Sequence, residues 1–319
     1  MGKEELDCFR QLGPSGRTLT PASNIGINTL PDQFVNIELT KGFTFNLMCV
    51  GVSGIGKTTL LRSLFRINLQ DDSHPTRSND VLLTERELSL SEASVSLRVK
   101  LIESRGFGDQ INKSDNSRNV VKYIEEKFES YYREESRVCR QLDKVGDGLV
   151  HACIYMLEPT GASLSTLDII TLKELQTRVN VILVIGKSDS LTPSELKDFK
   201  KRIMEELLEK GVELYKCPTD DPTVSTKNCE LNLHIPFAVV ASTEEMLINN
   251  QLCRVRKYPW GSVNVDDESH CEFTHLREAL LRNNLYHLIQ TTHSKFFYRF
   301  RAEQLSKDKP TGDSLYELK

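Results

Sequence analysis

From Gly42 onward the chain alternates short, nearly continuous apolar runs with longer stretches in which apolar residues recur every three or four positions. The runs are FTFNLMCV, SLRVKLIE, VHACIYML and VNVILVIG, and the periodic stretches that follow them cover 57–67, about 117–140, 167–178 and 193–210. Apolar runs without polar alternation read as strands covered on both faces, and strands separated by helices require crossover connections. The pattern predicts an α/β fold with a mostly parallel sheet flanked by helices. The helix at 193–210 is the most fully specified: Thr192 can cap it, Pro193 suits its first turn, Glu195 completes a capping box and Gly211 follows its end. Leu196, Phe199, Ile203, Leu207 and Leu208 are expected on its inner face, with Lys197, Lys200, Lys201 and Glu205 in solvent. Two further runs, VELYKCP and PFAVVAS, are expected to extend the sheet. Beyond them come a turn at YPWG and a helix at about 274–290 with Leu276, Leu280, Leu288 and Ile289 inward. Residues 1–41, with Gly13, Pro14, Gly16, Pro21 and Pro31 and little periodicity, read as an extension that is at most partly ordered.

Composition narrows the class. The 319 residues suit one large α/β domain or two small ones. Lysine and arginine total 41 against 45 acidic residues, a net charge of −4, and the basic residues are spread along the chain. Nothing in that distribution offers a footprint for a phosphate backbone, so nucleic acid is not the expected partner. The eight cysteines include no C-x-x-C pair and several stand inside apolar runs, so they read as reduced core thiols of a cytosolic protein. No apolar run approaches the roughly 20 residues that span a bilayer. The first 30 residues carry neither a secretory nor a transit pattern, and a soluble cytoplasmic protein is expected.

The chemistry concentrates where the first strand meets the first helix. Gly51-Val52-Ser53-Gly54-Ile55-Gly56-Lys57-Thr58-Thr59 fits a P-loop, whose glycines let successive backbone N–H groups converge on phosphate oxygens at a helix N-terminus. Lys57 would reach the outer phosphates and Thr58 would ligate Mg²⁺. The run VNVILVIG ends in Gly186-Lys187-Ser188-Asp189, a K-x-D at a strand end. A carboxylate there can accept from the guanine N1–H and amino group while the lysine stem packs on the ring, whereas adenine offers no such pair of donors. Gly186 stands where the commoner N-K-x-D has asparagine. Between these motifs, LIESRGFGD places Glu103 at the acidic position of a D-x-x-G and Gly106 where its N–H could meet a γ-phosphate.

These segments, together with EPTGASLSTLDI, GKSDSLTPSEL, PFAVVAST, RVRKYPWG and HCEFTHLREALLR, stand in the order found in septins, and the resemblance covers about residues 28–305. The last two resemble the septin unique element. LPDQFVN, GFGDQINKSD and CPTDDPTV are most similar to the septin-six group, whose members bind GTP without appreciable hydrolysis. The resemblance implies an N-terminal extension (1–41) and a septin-type G domain (42–305, with the unique element at about 245–305); the short tail (306–319) departs from it, lacking the coiled coil usual in this subgroup. The resemblance implies GTP or GDP with Mg²⁺ as cofactors. It further implies cytoskeletal filaments or rings in the cytoplasm that serve cytokinesis and cortical scaffolding. The partners implied are other septins, engaged through a G interface beside the nucleotide and an NC interface made by terminal elements. Carried over residue by residue, Lys57 and Thr58 take the phosphate and Mg²⁺ roles, Lys187 and Asp189 the base, Arg256 the stack on guanine, and Trp260 a place in the G interface.

Departures from the septin pattern bear on mechanism. Counting back from GFGD puts Asp80 at the position of the switch I threonine that helps place attacking water, and a carboxylate there would repel a γ-phosphate. Hydrolysis is therefore expected to be weak or absent, with GTP serving mainly as structure. The alternative is an active GTPase in which Thr76 or Thr84 substitutes and slow hydrolysis remodels filament interfaces. An ATP-dependent P-loop enzyme would leave Lys187 and Asp189 without a purpose. Glu103 keeps a carboxylate for contact to Mg²⁺-bound water but is one methylene longer than aspartate. Arg105 replaces a small or apolar residue and reads as an interface or solvent arginine. Ala162 replaces a histidine that faces the partner's nucleotide, and Ala241 replaces a glycine bordering the base. FVNIELTKGF holds one lysine where many septins carry a polybasic cluster, so membrane binding by that route is not expected.

Overall fold

The run FTFNLMCV forms β1, Phe43–Gly51, in a computed structural model that describes residues 26–67, 81–109, 116–139, 148–248 and 251–307. Side chains alternate across a strand. Phe45, Leu47 and Cys49 therefore enter one hydrophobic layer and Met48 and Val50 the other. The same two-sided burial holds for β4, Ala152–Leu157, and β5, Asn180–Ile185, every residue of which is buried. With β2 (Leu82–Glu92), β3 (Val95–Arg105) and β6 (Phe237–Ala238), these build a sheet of order β2-β3-β1-β4-β5-β6. All neighbours run parallel except β2, an antiparallel edge strand. This is the α/β architecture the pattern predicts.

The layer on one face holds α2 (Lys57–Phe65), α6 (Ser225–Leu233) and the helical run beginning with α7 (Phe273–Arg277), through Leu60, Leu64, Leu231, Phe273 and Leu276. The other face is covered by α3 (Asn116–Glu135), α4 (Thr166–Leu175) and α5 (Pro193–Lys210). Helix α5 has the expected limits: Thr192 and Glu195 form the capping box and Gly211 closes the helix at φ 67°. Phe199, Ile203 and Leu207 are buried, but Leu208 is 83% exposed, a correction to its expected inward place. Leu208 immediately follows Leu207, and one residue's rotation of about 100° carries it out of the stripe.

Lys200, expected in solvent, is half-buried and donates to Glu272 at 2.6 Å. Two other expectations change. VELYKCP forms no strand: the Tyr215 amide donates to the Val181 carbonyl at 3.0 Å. The Asn232 side chain then takes both backbone groups of Cys217, at 2.8 and 2.9 Å, in place of a ladder. The helix expected at 274–290 is a succession: α7, a π-helical stretch Glu278–Asn283, and α8, Leu285–Thr291. Leu276, Leu280 and Leu288 are buried, as the periodicity requires. The extension expected at 1–41 contains a helix, α1, Leu30–Lys41. Pro31 suits its first turn, and Gly42, at φ 71°, ends it by donating to the Glu38 carbonyl at 3.0 Å. Residues 1–25 of that extension, and the tail beyond Lys307, lie outside the described residues.

A second, antiparallel sheet of β7 (Glu245–Ile248), β8 (Gln251–Tyr258) and β9 (Gly261–Asn264) follows, with YPWG at the β8–β9 turn. Arg254 fastens it to the domain. Its guanidinium holds Asp266 at 2.6 Å and donates to the Ser63 carbonyl at the end of α2. The Ser63 hydroxyl in turn donates to the Ser242 carbonyl at 2.9 Å. Cys49, Cys153, Cys217 and Cys271 are buried, whereas Cys139 and Cys229 are exposed and Cys253 is half-buried. The core-thiol reading thus holds for four. Burial pushes the Cys49 thiol up to about 12, which makes it inert.

Candidate functional site

Between β1 and α2 the chain turns through Gly54 at φ 78° and Gly56 at φ 109°, left-handed conformations that glycine adopts without strain. The turn brings the first amides of α2, which have no intrahelical acceptor, to face outward at the positive end of the helix. Lys57 is buried, and its ammonium donates to the carbonyls of Gly51 at 2.8 Å and Val52 at 2.9 Å, folding the side chain over the loop. Burial lowers its pKa, and the nearby Glu103 and Asp109 act in the opposite direction. Ser53 donates to Asp109 Oδ2 at 2.5 Å. Gly108, at φ 85°, sits so close to Val52 that a β-carbon would lie 3.2 Å from its Cγ2. The segment after β3 therefore packs on the loop and walls it on one side, with Gly106 at φ 74°.

Beside the loop lies a cavity of about 300 Å³. Of the residues expected to bind nucleotide, Gly54, Ile55, Gly56, Thr59, Lys187, Ala241 and Arg256 line it. Gly51, Ser53, Lys57, Thr58, Gly106 and Asp189 do not. Met156, Gly186, Val239, Ser242, Thr243 and Glu244 also line it and were not anticipated. Lys187 adopts φ 50°, which turns the chain at the end of β5. Asp189 is nearly buried at the cavity edge, accepting from Arg256 at 3.3 Å and from the Tyr258 hydroxyl. The Arg256 guanidinium lies 5.3 Å from the Tyr258 ring centre. Tyr258 stacks on Trp260 at 5.1 Å, and Trp260 is 83% exposed.

Gly186 stands where N-K-x-D has asparagine. A β-carbon there would lie 2.9 Å from Met156 Cε and 3.1 Å from Ile55 Cγ1, so the space an asparagine would need is filled from β4 and from the loop.

Thr58 Oγ1 donates to Glu103 Oε1. Glu103 Oε2 is buried without a hydrogen-bond partner. A hydroxyl at the helix start with a carboxylate behind it is the hard-oxygen donor set a Mg²⁺ ion takes, so the residues fit that ion in kind. Among the described residues no cluster of three or more His, Cys, Asp or Glu side chains could hold a metal by itself. Thr84, entertained as a switch I substitute, is a β2 residue directly opposite Glu103. Asp80 and Thr76 lie outside the described residues. Ala162 is exposed and Arg105 half-buried.

A parallel sheet carrying a P-loop, with a cavity between that loop and the ends of β5 and β6, defines a P-loop nucleotide-binding protein. The septin family model matches residues 41–314, and this chain belongs to the septin family. It is 43% identical over 301 residues to Septin-8-A of Xenopus laevis, covering 94% of this chain and 70% of that protein. It is 41% identical over 317 residues to Septin-8 of Homo sapiens, covering 98% of this chain and 66% of that protein. The same identity holds against Septin-8 of Mus musculus, covering 74% of it. The resemblance to the septin-six group fits these relatives. Membership implies a guanine-nucleotide-binding, filament-forming subunit that associates with other septins. No helix among the described residues is long and apolar enough to cross a membrane.

Proposed function

We propose that this chain holds GTP as a fixed element of a hetero-oligomeric septin filament, at an interface beside the nucleotide, with hydrolysis weak or absent. The observation that supports this best is the cavity that runs from the P-loop to Lys187 and Arg256. It joins phosphate-facing amides to a base-reading edge, and Asp189 at that edge suits guanine. Lys57 would move from the Gly51 and Val52 carbonyls to phosphate oxygens. The amides of residues 54 to 59 would orient the phosphate chain, and Gly106 would offer its N–H to the terminal phosphate. Thr58 would ligate Mg²⁺ and Glu103 would touch its bound water, and the ion when bound neutralises phosphate charge.

Weak hydrolysis is supported by Asp80 in the sequence, since a carboxylate near the terminal phosphate repels both the phosphate and a hydroxide-like nucleophile. Trp260 and Tyr258 would contribute to the interface beside the nucleotide. The exposed apolar residues Leu30, Phe34, Val35 and Ile37 of α1 would contribute to the one made by terminal elements. Such filaments would serve the cytoskeleton in cytokinesis and cortical scaffolding, and the single lysine between Phe34 and Phe43 argues against membrane anchoring by that segment.

The test is to denature freshly purified protein and separate the released nucleotide by ion exchange. GTP at close to one per chain is the expected result. Mostly GDP overturns the non-hydrolysing reading, and an adenine nucleotide overturns the base assignment to Asp189.

A further inference from the structure

Strand β2 supplies a cation to Glu103, the carboxylate behind Thr58, that the nucleotide-binding motifs do not account for. In the antiparallel β2–β3 pair, Thr84 stands opposite Glu103 and Arg86 opposite Leu101. Arg86 is therefore the diagonal neighbour of Glu103 on the same face of the sheet. Its Nη1 lies 3.8 Å from Glu103 Oε2, and the two side chains are only 15% and 8% exposed. The other oxygen of the same carboxylate accepts from Thr58, at the start of α2. Hydroxyl, carboxylate and guanidinium thus form one contiguous group beside the phosphate loop.

A carboxylate attracts a hydrated divalent ion through its charge, and a guanidinium in a partly buried position at this distance already neutralises that charge. It also repels a second cation brought to the Thr58 hydroxyl. Lys57, whose ammonium feels Glu103 as well, adds to the positive charge on the same side. An arginine cannot be deprotonated in a protein, so this charge is permanent. The sheet register fixes its position, and no ordering is needed when a nucleotide arrives.

We propose that Arg86, by neutralising the Glu103 carboxylate behind Thr58, removes the repulsion that a divalent ion would otherwise have to offset, so that the chain retains its guanine nucleotide without Mg²⁺. This rests on the nucleotide-binding reading above and assigns a further charge-positioning residue within it. The consequence is specific: nucleotide release, which chelation accelerates at a site that depends on Mg²⁺, is here insensitive to chelation.

The experiment uses the full chain loaded with tritiated GTP, with dissociation followed by filter binding against excess unlabelled GTP, in Mg²⁺ and in EDTA. Chelation is expected to raise the dissociation rate of the wild-type protein by about threefold or less, and a rise above about tenfold, equivalent to roughly 1.4 kcal/mol, overturns the proposal. Arg86→Gln is expected to restore a rise of about tenfold or more, and Arg86→Lys, which keeps the charge, to leave release insensitive. Persistent insensitivity in Arg86→Gln overturns the assignment to Arg86. The wild-type measurement decides the main point even if a variant fails to fold. Failure to retain any guanine nucleotide in Mg²⁺ would instead defeat the underlying functional reading, and is seen before chelation.

Discussion

Replacing Arg254 with alanine tests whether the small sheet is built onto the nucleotide site through one buried cation. Arg254 is buried, grips Asp266 through two nitrogens at 2.6 and 3.3 Å, donates to the Ser63 carbonyl and lies 5.0 Å from the centre of the Phe273 ring. Truncation leaves the Ser63 carbonyl without that donor, at a cost of about 1–3 kcal/mol. Asp266 retains Arg277 at 3.5 Å, so its loss is that of a partly exposed pair, about 1 kcal/mol. The sum, roughly 2–4 kcal/mol, is a large share of the 5–15 kcal/mol of a typical domain and corresponds to a fall of about 4–12 °C in melting temperature. Because Arg256 is two residues along the same strand, loosening β8 also weakens GTP binding, by about tenfold for each 1.4 kcal/mol lost at the site. Differential scanning calorimetry on nucleotide-free protein, with equilibrium dialysis against GTP, measures both. The argument also fixes a pH dependence. The Asp266 carboxyl is held below the usual range by Arg254, with Arg277 adding to the effect and burial opposing it. The stability this contributes is present above the ordinary carboxylate pKa and lost as pH falls through the depressed folded value. A fall in melting temperature under about 2 °C with GTP affinity unchanged would refute the reasoning.

Lys57→Ala removes a charged phosphate donor and is expected to weaken GTP binding about tenfold to a hundredfold, measured by dialysis, because hydrogen bonds to charged groups are each worth about 1.5–3 kcal/mol. Asp189→Asn is expected to lose guanine by about a hundredfold or more and gain affinity for xanthosine triphosphate, whose ring offers an acceptor where guanine has an amino group; competition binding reads the ratio. Gly186→Asn, which recreates N-K-x-D, is expected to destabilise by about 1–3 kcal/mol through contact with Met156 and Ile55, with Met156→Ala recovering part of the melting temperature. His287, at 2.8 Å from the Tyr215 hydroxyl, has its pKa lowered by burial. Folding favours the neutral ring, so its stability contribution is present above about pH 6.5 and lost as pH falls through the lower folded value. His287→Gln is expected to flatten that slope in urea titrations.

What could be read from the sequence followed from how locally each element is determined. Helix α5 was legible to its ends because its cap, its first-turn proline and its closing glycine are all local signals. The fully buried strands β1, β4 and β5 were legible because apolar runs admit few readings. Strand β2 is not legible: its inward positions include Thr84 and Arg86, so its alternation is polar as well as apolar and merges with the loop before GFGD. VELYKCP reads as a strand and is not one because the side chain of Asn232, fifteen residues after Cys217, satisfies its backbone, and no local pattern carries that. At the site, the P-loop and K-x-D were visible as motifs. The wall from Ala241 to Glu244 and the partnership of Tyr258 with Asp189 depend on how a second sheet docks, which no spacing encodes.

The docking of that sheet also links the proposed base pocket to the outer surface. Asp189 has both oxygens engaged, one by Arg256 and the other by Tyr258. A guanine that donates its N1–H and amino group to this carboxylate competes with both. Displacing Tyr258 disturbs its stack on Trp260, the most exposed aromatic residue of the hairpin turn. Displacing Arg256 leaves its guanidinium free to cover the base, since Arg254 anchors the strand from beneath. Recognition of the base by Arg256 and support of the exposed Trp260 by Tyr258 would thus, on the proposed function, draw on alternate residues of one strand. On the proposed function, a subunit without nucleotide would present Trp260 differently from one that carries it, and filament contacts at that face would register occupancy without any need for hydrolysis.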